Sequence, residues 1–265
     1  MPTCRSNDVD LYYETRGEGP PLLLVAGIAS DSASWLPVMN HLARDFRVIA
    51  LDNRGVGRTV PMEAPTSIAA MADDCAALLS HLGLPRASVV GHSMGGFIAQ
   101  ELALRHPARV DRLVLAATSS RVSSRNRDLF ATWCDALEHG EAPVCWFRNL
   151  FHWLFSPAFF DRPEMVDSLV RFAVEYPYPQ TVSALRRQVG AIAAFDSSAA
   201  LARIGARTLV VAGGQDLVFP ARECAALAAA IPGAAFTLID EAAHSIHFEH
   251  PVEFHRRVAA FLAAP

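Results

Sequence analysis

The residues best fitted to do chemistry are a serine, an aspartate and a histidine that follow one another along the chain in separate loops. Ser93 lies in Gly91-His92-Ser93-Met94-Gly95-Gly96, a G-x-S-x-G directly after an apolar run ending at Val90 and directly before an apolar-periodic segment. A serine on a strand-to-helix turn of this kind takes a strained conformation that lifts its hydroxyl above the sheet, and glycines two residues to either side let the chain pass closely. The hydroxyl is a weak nucleophile at neutral pH, so it needs a base, and the base needs an orienting acid. Asp216, in Gly213-Gly214-Gln215-Asp216, follows an apolar run over 209–212, and His244 follows the last such run in Glu241-Ala242-Ala243-His244. Asp240, Glu241 and Asp196 compete for the acid's role, and position at a strand end favours Asp216. His247 is close enough in sequence to reach the same site but is expected to cap or pack at the start of the last helix. His92 is expected to pack beside the turn, and His106, His152 and His255 to serve surface or packing roles.

These three residues require a scaffold that brings several strand ends together. Short apolar runs over 11–15, 22–26, 47–51, 88–90, 113–117, 208–212 and 235–239 read as strands, several of them continuous enough to be covered on both faces. Helical patterns over 68–82, 95–105, 221–230 and 251–262 alternate with them, which predicts βαβ units and a mostly parallel sheet. Thr66 or Ser67 is a suitable N-cap for the first of these helices. Between residues 121 and 194 the strand signal disappears, and helical segments rich in Phe and Trp take over. The organisation expected is therefore a core over 1–120 and 195–265 with a helical cap inserted over 121–194. Most of the aromatic rings should form the cap's own small core, while Trp146, Phe147 and Trp153 are expected to line a substrate pocket.

Composition narrows the chemistry further. The 265 residues carry 23 basic and 27 acidic side chains, a net charge of −4, so no basic field exists to gather nucleic acid or an anionic membrane. All 23 basic residues are arginine, which excludes Schiff-base lysines, P-loop phosphate binding and Ser-Lys dyads. The five cysteines, Cys4, Cys75, Cys134, Cys145 and Cys224, form no C-x-x-C pair and read as reduced, mostly buried thiols rather than a disulfide framework or zinc site. The polar first ten residues lack a secretory signal's layout, and the longest apolar stretch is broken by Pro232-Gly233, so a cytoplasmic location is expected. Oligomeric state leaves no trace in the sequence.

Over almost its whole length the chain resembles the α/β-hydrolase superfamily. The resemblance rests on the serine turn and on Leu22-Leu23-Leu24-Val25-Ala26-Gly27-Ile28, similar to the family's strand into its oxyanion loop. It rests also on Asp52-Asn53-Arg54-Gly55-Val56-Gly57-Arg58 and on the segment from His244 to Phe248-Glu249-His250-Pro251. Within the family it looks most like small bacterial esterases and 3-oxoadipate enol-lactonases. The resemblance implies an α/β-hydrolase fold with an inserted helical cap, a Ser93-Asp216-His244 triad, an oxyanion hole made by the backbone N–H groups of Ile28 and Met94, and no metal or organic cofactor. The family's usual His-Gly before the oxyanion residue is Ala26-Gly27 here, which leaves the backbone donors intact and puts the loop's hydrogen-bond support in question. The substrate implied is a small carboxylic ester or lactone. Open alternatives are a C–C bond hydrolase of vinylogous diketones, an enamine or amide hydrolase, a cofactor-free oxygenase or perhydrolase, and a ligand-binding receptor on the same scaffold. Arg54 could bind a substrate carboxylate or hold its own loop by a salt bridge, the second being favoured. Arg121, Arg125, Arg127 and Arg148 are further carboxylate candidates without a ranking.

Overall fold

Residues 2–264 are described by a computed structural model; Met1 and Pro265, the outermost residues of the two expected core segments, lie outside the described residues. Eight strands form one sheet: β1 (Thr3–Ser6), β2 (Val9–Arg16), β3 (Pro21–Val25), β4 (Arg47–Leu51), β5 (Ala87–His92), β6 (Val110–Ala116), β7 (Arg207–Gly213) and β8 (Ala235–Ile239). Their order is β1-β2-β4-β3-β5-β6-β7-β8, with β3 to β8 parallel and β1 and β2 antiparallel. After β3 the chain moves outward to β4 and then returns to the other side of β3 as β5. The strand order reverses there, and such a reversal opens a crevice at the carboxyl ends of the two strands.

The continuous apolar runs are explained by burial on both faces. Leu22 and Leu24 of β3 point into one core with Val48, Ala50, Val90, Val114 and Val211, whereas Leu23 and Val25 point into the other with Ile49, Leu51, Val89, Leu115 and Val210. The first core is closed by α1 (Leu36–Leu42) and α11 (Pro251–Ala263) through Val38, Met39, Leu42, Phe254 and Val258. The second is closed by α2 (Ile68–His81), α3 (Met94–Arg105) and α9 (Ala221–Ala230). Ser67 is the cap of α2, accepting a hydrogen bond from the Ala70 N–H at 3.0 Å. Between β6 and β7 lie five helices, α4 (Ser124–Glu138), α5 (Pro143–Leu154), α6 (Pro157–Phe160), α7 (Pro163–Val174) and α8 (Val182–Ala193), and a bridge between Arg121 and Asp196 closes the base of this insertion. A last short helix, α10 (Ile246–Glu249), precedes α11. Among the described residues no helix is long and apolar enough to cross a membrane. All five cysteines are free, and all but Cys145 are buried.

Two elements were not legible in the sequence pattern. Strand β1 buries only Cys4 and Ser6, too short an alternation to register, and α1 offers only two turns. The reading of Arg54 as a ligand for substrate is corrected by its position. Its guanidinium is buried away from the cavity described below, with Nε donating to Asp74 Oδ2 at 2.5 Å, Nη2 to Asp74 Oδ1 at 2.9 Å and Nη1 to Asp8 Oδ1 at 2.6 Å. Asp74 accepts a further bond from Ser6 Oγ at 2.6 Å, so the ion pair fastens β1 and the loop after β4 to α2. Removing one member of a buried pair strands the other charge. Arg54→Ala is therefore expected to destabilise the fold by about 3–5 kcal/mol, measured by urea denaturation. A change below about 1 kcal/mol would show that the pair does not hold the loop.

Candidate active site

The serine turn shows why its glycines are required. Ser93 has φ +56° and ψ −119°, a strained conformation for a residue with a side chain, between the last residue of β5 and the first of α3. A Cβ on Gly91 would lie 2.2 Å from the Gly95 carbonyl oxygen, and a Cβ on Gly95 would lie 2.0 Å from that of Val25. The turn is thus pressed against itself and against the end of β3, closer than any side chain allows. Its strain is held by backbone bonds: Ser93 N–H donates to the Ala116 carbonyl at 3.0 Å, and the Ser93 carbonyl accepts from Thr118 Oγ1 at 2.9 Å and the Gly96 N–H at 2.9 Å.

Asp216 and His244 meet although 28 residues separate them. His244 Nδ1–H donates to Asp216 Oδ2 at 2.9 Å, while Asp216 Oδ1 accepts from the N–H groups of Val218 at 2.7 Å and Phe219 at 2.9 Å. Both residues are buried. The bond fixes the tautomer of His244, so Nε2 is the free, basic nitrogen. The competitors Asp240, Glu241 and Asp196 have no bond to this ring, and Asp196 pairs with Arg121. Ser93, His244 and Ile28 line one cavity of about 490 Å³, and Met94 sits beside Ser93 with the first N–H of α3, a group without a partner inside the helix. Ser93 and the loop after β3 come together because β3 and β5 are neighbours at the crossover, with Val25 opposite Gly91 and Gly27 packed against the Ser93 side chain.

The loop after β3 carries support that the sequence did not announce. Gln188 of α8, fully buried, accepts from the Ala29 N–H at 3.2 Å and donates to the Arg54 carbonyl at 2.9 Å, while Asn53 Nδ2 donates to the Ala26 carbonyl at 3.1 Å. The side chain of a helix from the insertion thus takes over the bracing that a histidine in the loop would give. Glu249 does the same for the histidine loop, accepting from the Ala243 N–H at 2.9 Å and from the Ser156 N–H and hydroxyl at 2.9 and 2.6 Å.

The cavity wall over the triad is largely aromatic. Trp146 and Phe147 line it with Phe130, Trp133, Phe151 and Phe155, and Trp146 Nε1 donates to the Trp133 carbonyl at 2.8 Å. Trp153 does not belong to this wall: it is half-buried, with the Arg125 guanidinium 4.9 Å over its ring, and it lies outside the cavity lining. The assignment of Trp153 to the pocket is corrected accordingly. Among the described residues no group of three or more His, Cys, Asp and Glu side chains is arranged to hold a metal ion.

His92 and His247 belong to the site more closely than packing alone would suggest. His92 Nε2–H donates to the His244 carbonyl at 2.8 Å, and its ring lies 4.8 Å from that of His244 and 4.5 Å from that of His247. His247 also stacks on Trp35, with ring centres 4.4 Å apart. Burial, then the neighbouring histidines, pushes the pKa of His92 well below its ordinary value, and burial together with His244 lowers that of His247 to about 3. Both rings are therefore neutral in the fold.

The chain belongs to the α/β-hydrolase family, whose model matches residues 20–251. It is 34% identical over 258 residues to a protein of Agrobacterium fabrum named as a candidate carbamate hydrolase, RutD, covering 96% of this chain and 97% of that one. Among solved structures it is similar to a hydrolase from Pseudomonas aeruginosa PA01, with TM-score 0.89, 31% identity and coverage of 99% and 98% of the two chains. An enol-lactonase from Burkholderia xenovorans LB400 also superposes with TM-score 0.89, at 26% identity and 99% and 100% coverage.

The neutral histidines make stability depend on pH with a definite sign. In the unfolded chain each takes a proton near pH 6.5, and the fold holds it off, so the unfolded state binds more protons below that pH. Stability is complete above about pH 7 and falls as pH drops through 6.5 toward the folded value, with a contribution of about 1.4 kcal/mol per pH unit from each ring. His247→Gln is expected to remove about one proton from the slope of unfolding free energy between pH 6.5 and 5. Urea melts across that range measure it, and an unchanged slope would mean that the ring is charged in the fold.

Proposed function

We propose that this hydrolase cleaves a small carboxylic ester or lactone through an acyl-enzyme on Ser93. The observation that carries the reading is the 2.9 Å bond from His244 Nδ1 to Asp216, which leaves Nε2 unbonded on a ring that lines the same cavity as a serine held on a strained turn. His244 Nε2 takes the proton as Ser93 Oγ attacks the carbonyl carbon, and Asp216 stabilises the imidazolium. The oxyanion that forms accepts hydrogen bonds from the N–H groups of Ile28 and Met94, assisted by the positive end of α3. His244 then returns the proton to the departing oxygen. Water, deprotonated by the same nitrogen, attacks the acyl-serine, and the acid leaves with Ser93 restored. The helical insertion acts as a cap that keeps bulk water from the reacting carbonyl.

The similarity to an enol-lactonase supports the ester and lactone reading. The similarity to a protein named as a carbamate hydrolase supports a second one, in which the same residues break a C–N bond and the departing atom protonated by His244 is nitrogen.

On p-nitrophenyl butyrate, Ser93→Ala is expected to lower kcat/KM by more than about 10⁴-fold and Asp216→Asn by about 10⁴-fold. Full activity in the serine variant would overturn the reading, and turnover of a simple carbamate in preference to the ester would favour the second one. Gln188→Leu should lower kcat by about tenfold or more with little change in KM, since misplacing an oxyanion donor weakens the transition state selectively. A change confined to KM would place the bracing of Ala29 outside the chemistry.

A further inference from the structure

We propose that the cavity is built for an ester or lactone whose organic group is uncharged and apolar, and that it rejects substrates carrying a carboxylate. The proposal rests on the serine-hydrolase reading and concerns what the site accepts. Among the described residues no arginine lines the cavity, and the chain has no lysine. Of the arginines in or beside the insertion, Arg148 pairs with Asp167, Arg186 with Asp135 and Glu138, Arg187 with Glu63, Arg121 with Asp196, and Arg125 with the Leu217 carbonyl and the Trp153 ring, while Arg127, Arg162 and Arg171 are exposed and outside the cavity lining.

The charge that does line the cavity is negative. Asp31, buried at the end of the β3 loop, accepts from Ala33 N–H at 2.9 Å through Oδ1 and from the Tyr176 hydroxyl at 2.5 Å through Oδ2; burial and Asp52 push its pKa up, and these two hydrogen bonds to the carboxylate act against the rise. Behind it lies Asp52, which is paired with Arg58, and Arg58 is shared with Glu14. Two further acids thus draw on one guanidinium. That guanidinium is also screened: Tyr12 covers it at 3.7 Å, and Tyr178, whose ring lies 5.2 Å away, is itself part of the cavity wall. An entering carboxylate would lose its hydration, find no cation, and face Asp31.

The rest of the cavity gives an apolar group what it needs. Phe130, Trp146, Phe147, Leu150, Phe151 and Phe155 form a continuous surface, and at about 490 Å³ the space suits a compact ligand. The rim is apolar as well, since Phe172 and Val174 line the cavity and remain 53% and 39% exposed. A lactone that bears a carboxylate, such as one derived from an oxoadipate, would by this account be a poor substrate.

The test compares p-nitrophenyl hexanoate with mono-p-nitrophenyl adipate, esters of equal chain length that differ by a terminal carboxylate. The wild-type protein is expected to favour the hexanoate in kcat/KM by about 100-fold, the discrimination that an unpaired charge beside a like charge produces. Asp31→Asn should narrow that ratio by about tenfold; because both esters are read on the same sample, partial unfolding does not alter it. A wild-type ratio near one, or in favour of the adipate, overturns the proposal, and a ratio unmoved in Asp31→Asn overturns the part assigned to that carboxylate. Hydrolysis of both esters that survives Ser93→Ala defeats the serine reading instead. Should neither ester turn over, calorimetric binding of ethyl hexanoate and monoethyl adipate to Ser93→Ala reads the same preference. The proposal then requires tighter binding of the neutral ester and fails if the adipate binds equally well or if neither binds.

Discussion

The constraint on which the site depends is the absence of a side chain at Gly91 and Gly95. With the Gly95 Cα pressed toward the Val25 carbonyl and Gly91 toward the Gly95 carbonyl, α3 starts directly over the crevice between β3 and β5. Only there can one residue, Ser93, stand at a helix N-terminus and at a strand end together. The two places coincide because the crossover puts the reversal of strand order between those same two strands. The oxyanion donors proposed above would follow without further machinery: one is the residue after the serine, and the other is on the loop leaving the strand next door. The cost is local backbone strain at Ser93, sustained by the buried bonds to Ala116, Thr118 and Gly96.

The helical insertion does more than cover this crevice. Its last helix sends Gln188 down to Ala29 and Arg54, the turn between α5 and α6 offers Ser156 to Glu249, and Tyr176 reaches Asp31. Each contact joins a residue of the insertion to the chain around the candidate site. A movement of the insertion would therefore disturb the oxyanion loop and the histidine loop together, which couples the shape of the cavity to the readiness of the chemistry. The same contacts explain why a loop lacking the family's usual histidine is still held in place.

The histidines next to the triad show a further economy of arrangement. His92 holds the backbone of His244, and His247 packs behind both against Trp35, so the base is positioned from its own carbonyl as well as through Asp216. Their neutrality matters to the proposed mechanism, because a positive charge at either ring would oppose an imidazolium at His244. Burial supplies that neutrality, and the apolar faces of Trp35 and the surrounding core supply the burial.

By itself the sequence determined the parallel sheet, the serine turn and the order of the three site residues, because each of these is a local signal. Apolar runs of strand length, glycines at fixed offsets from a serine, and polar residues just past strand ends can be read within windows of about ten residues. Trp146 and Phe147 were legible for the same reason, as part of a helix rich in rings. What only the tertiary structure decided are matters of side chains that meet across long separations. Gln188 lies 159 residues from Ala29, and Asp31 lies 145 residues from Tyr176, and no local pattern marks either partner. For Arg54 the sequence favoured a brace over a ligand but did not mark its partner, Asp74, which lies 20 residues on and is buried against it. Trp153 was placed in the wall by composition, whereas in the fold its ring lies outside the cavity, under Arg125. A residue's type and its neighbours in sequence prescribe the local backbone, whereas which cavity it faces and which charge it answers depend on how the layers pack.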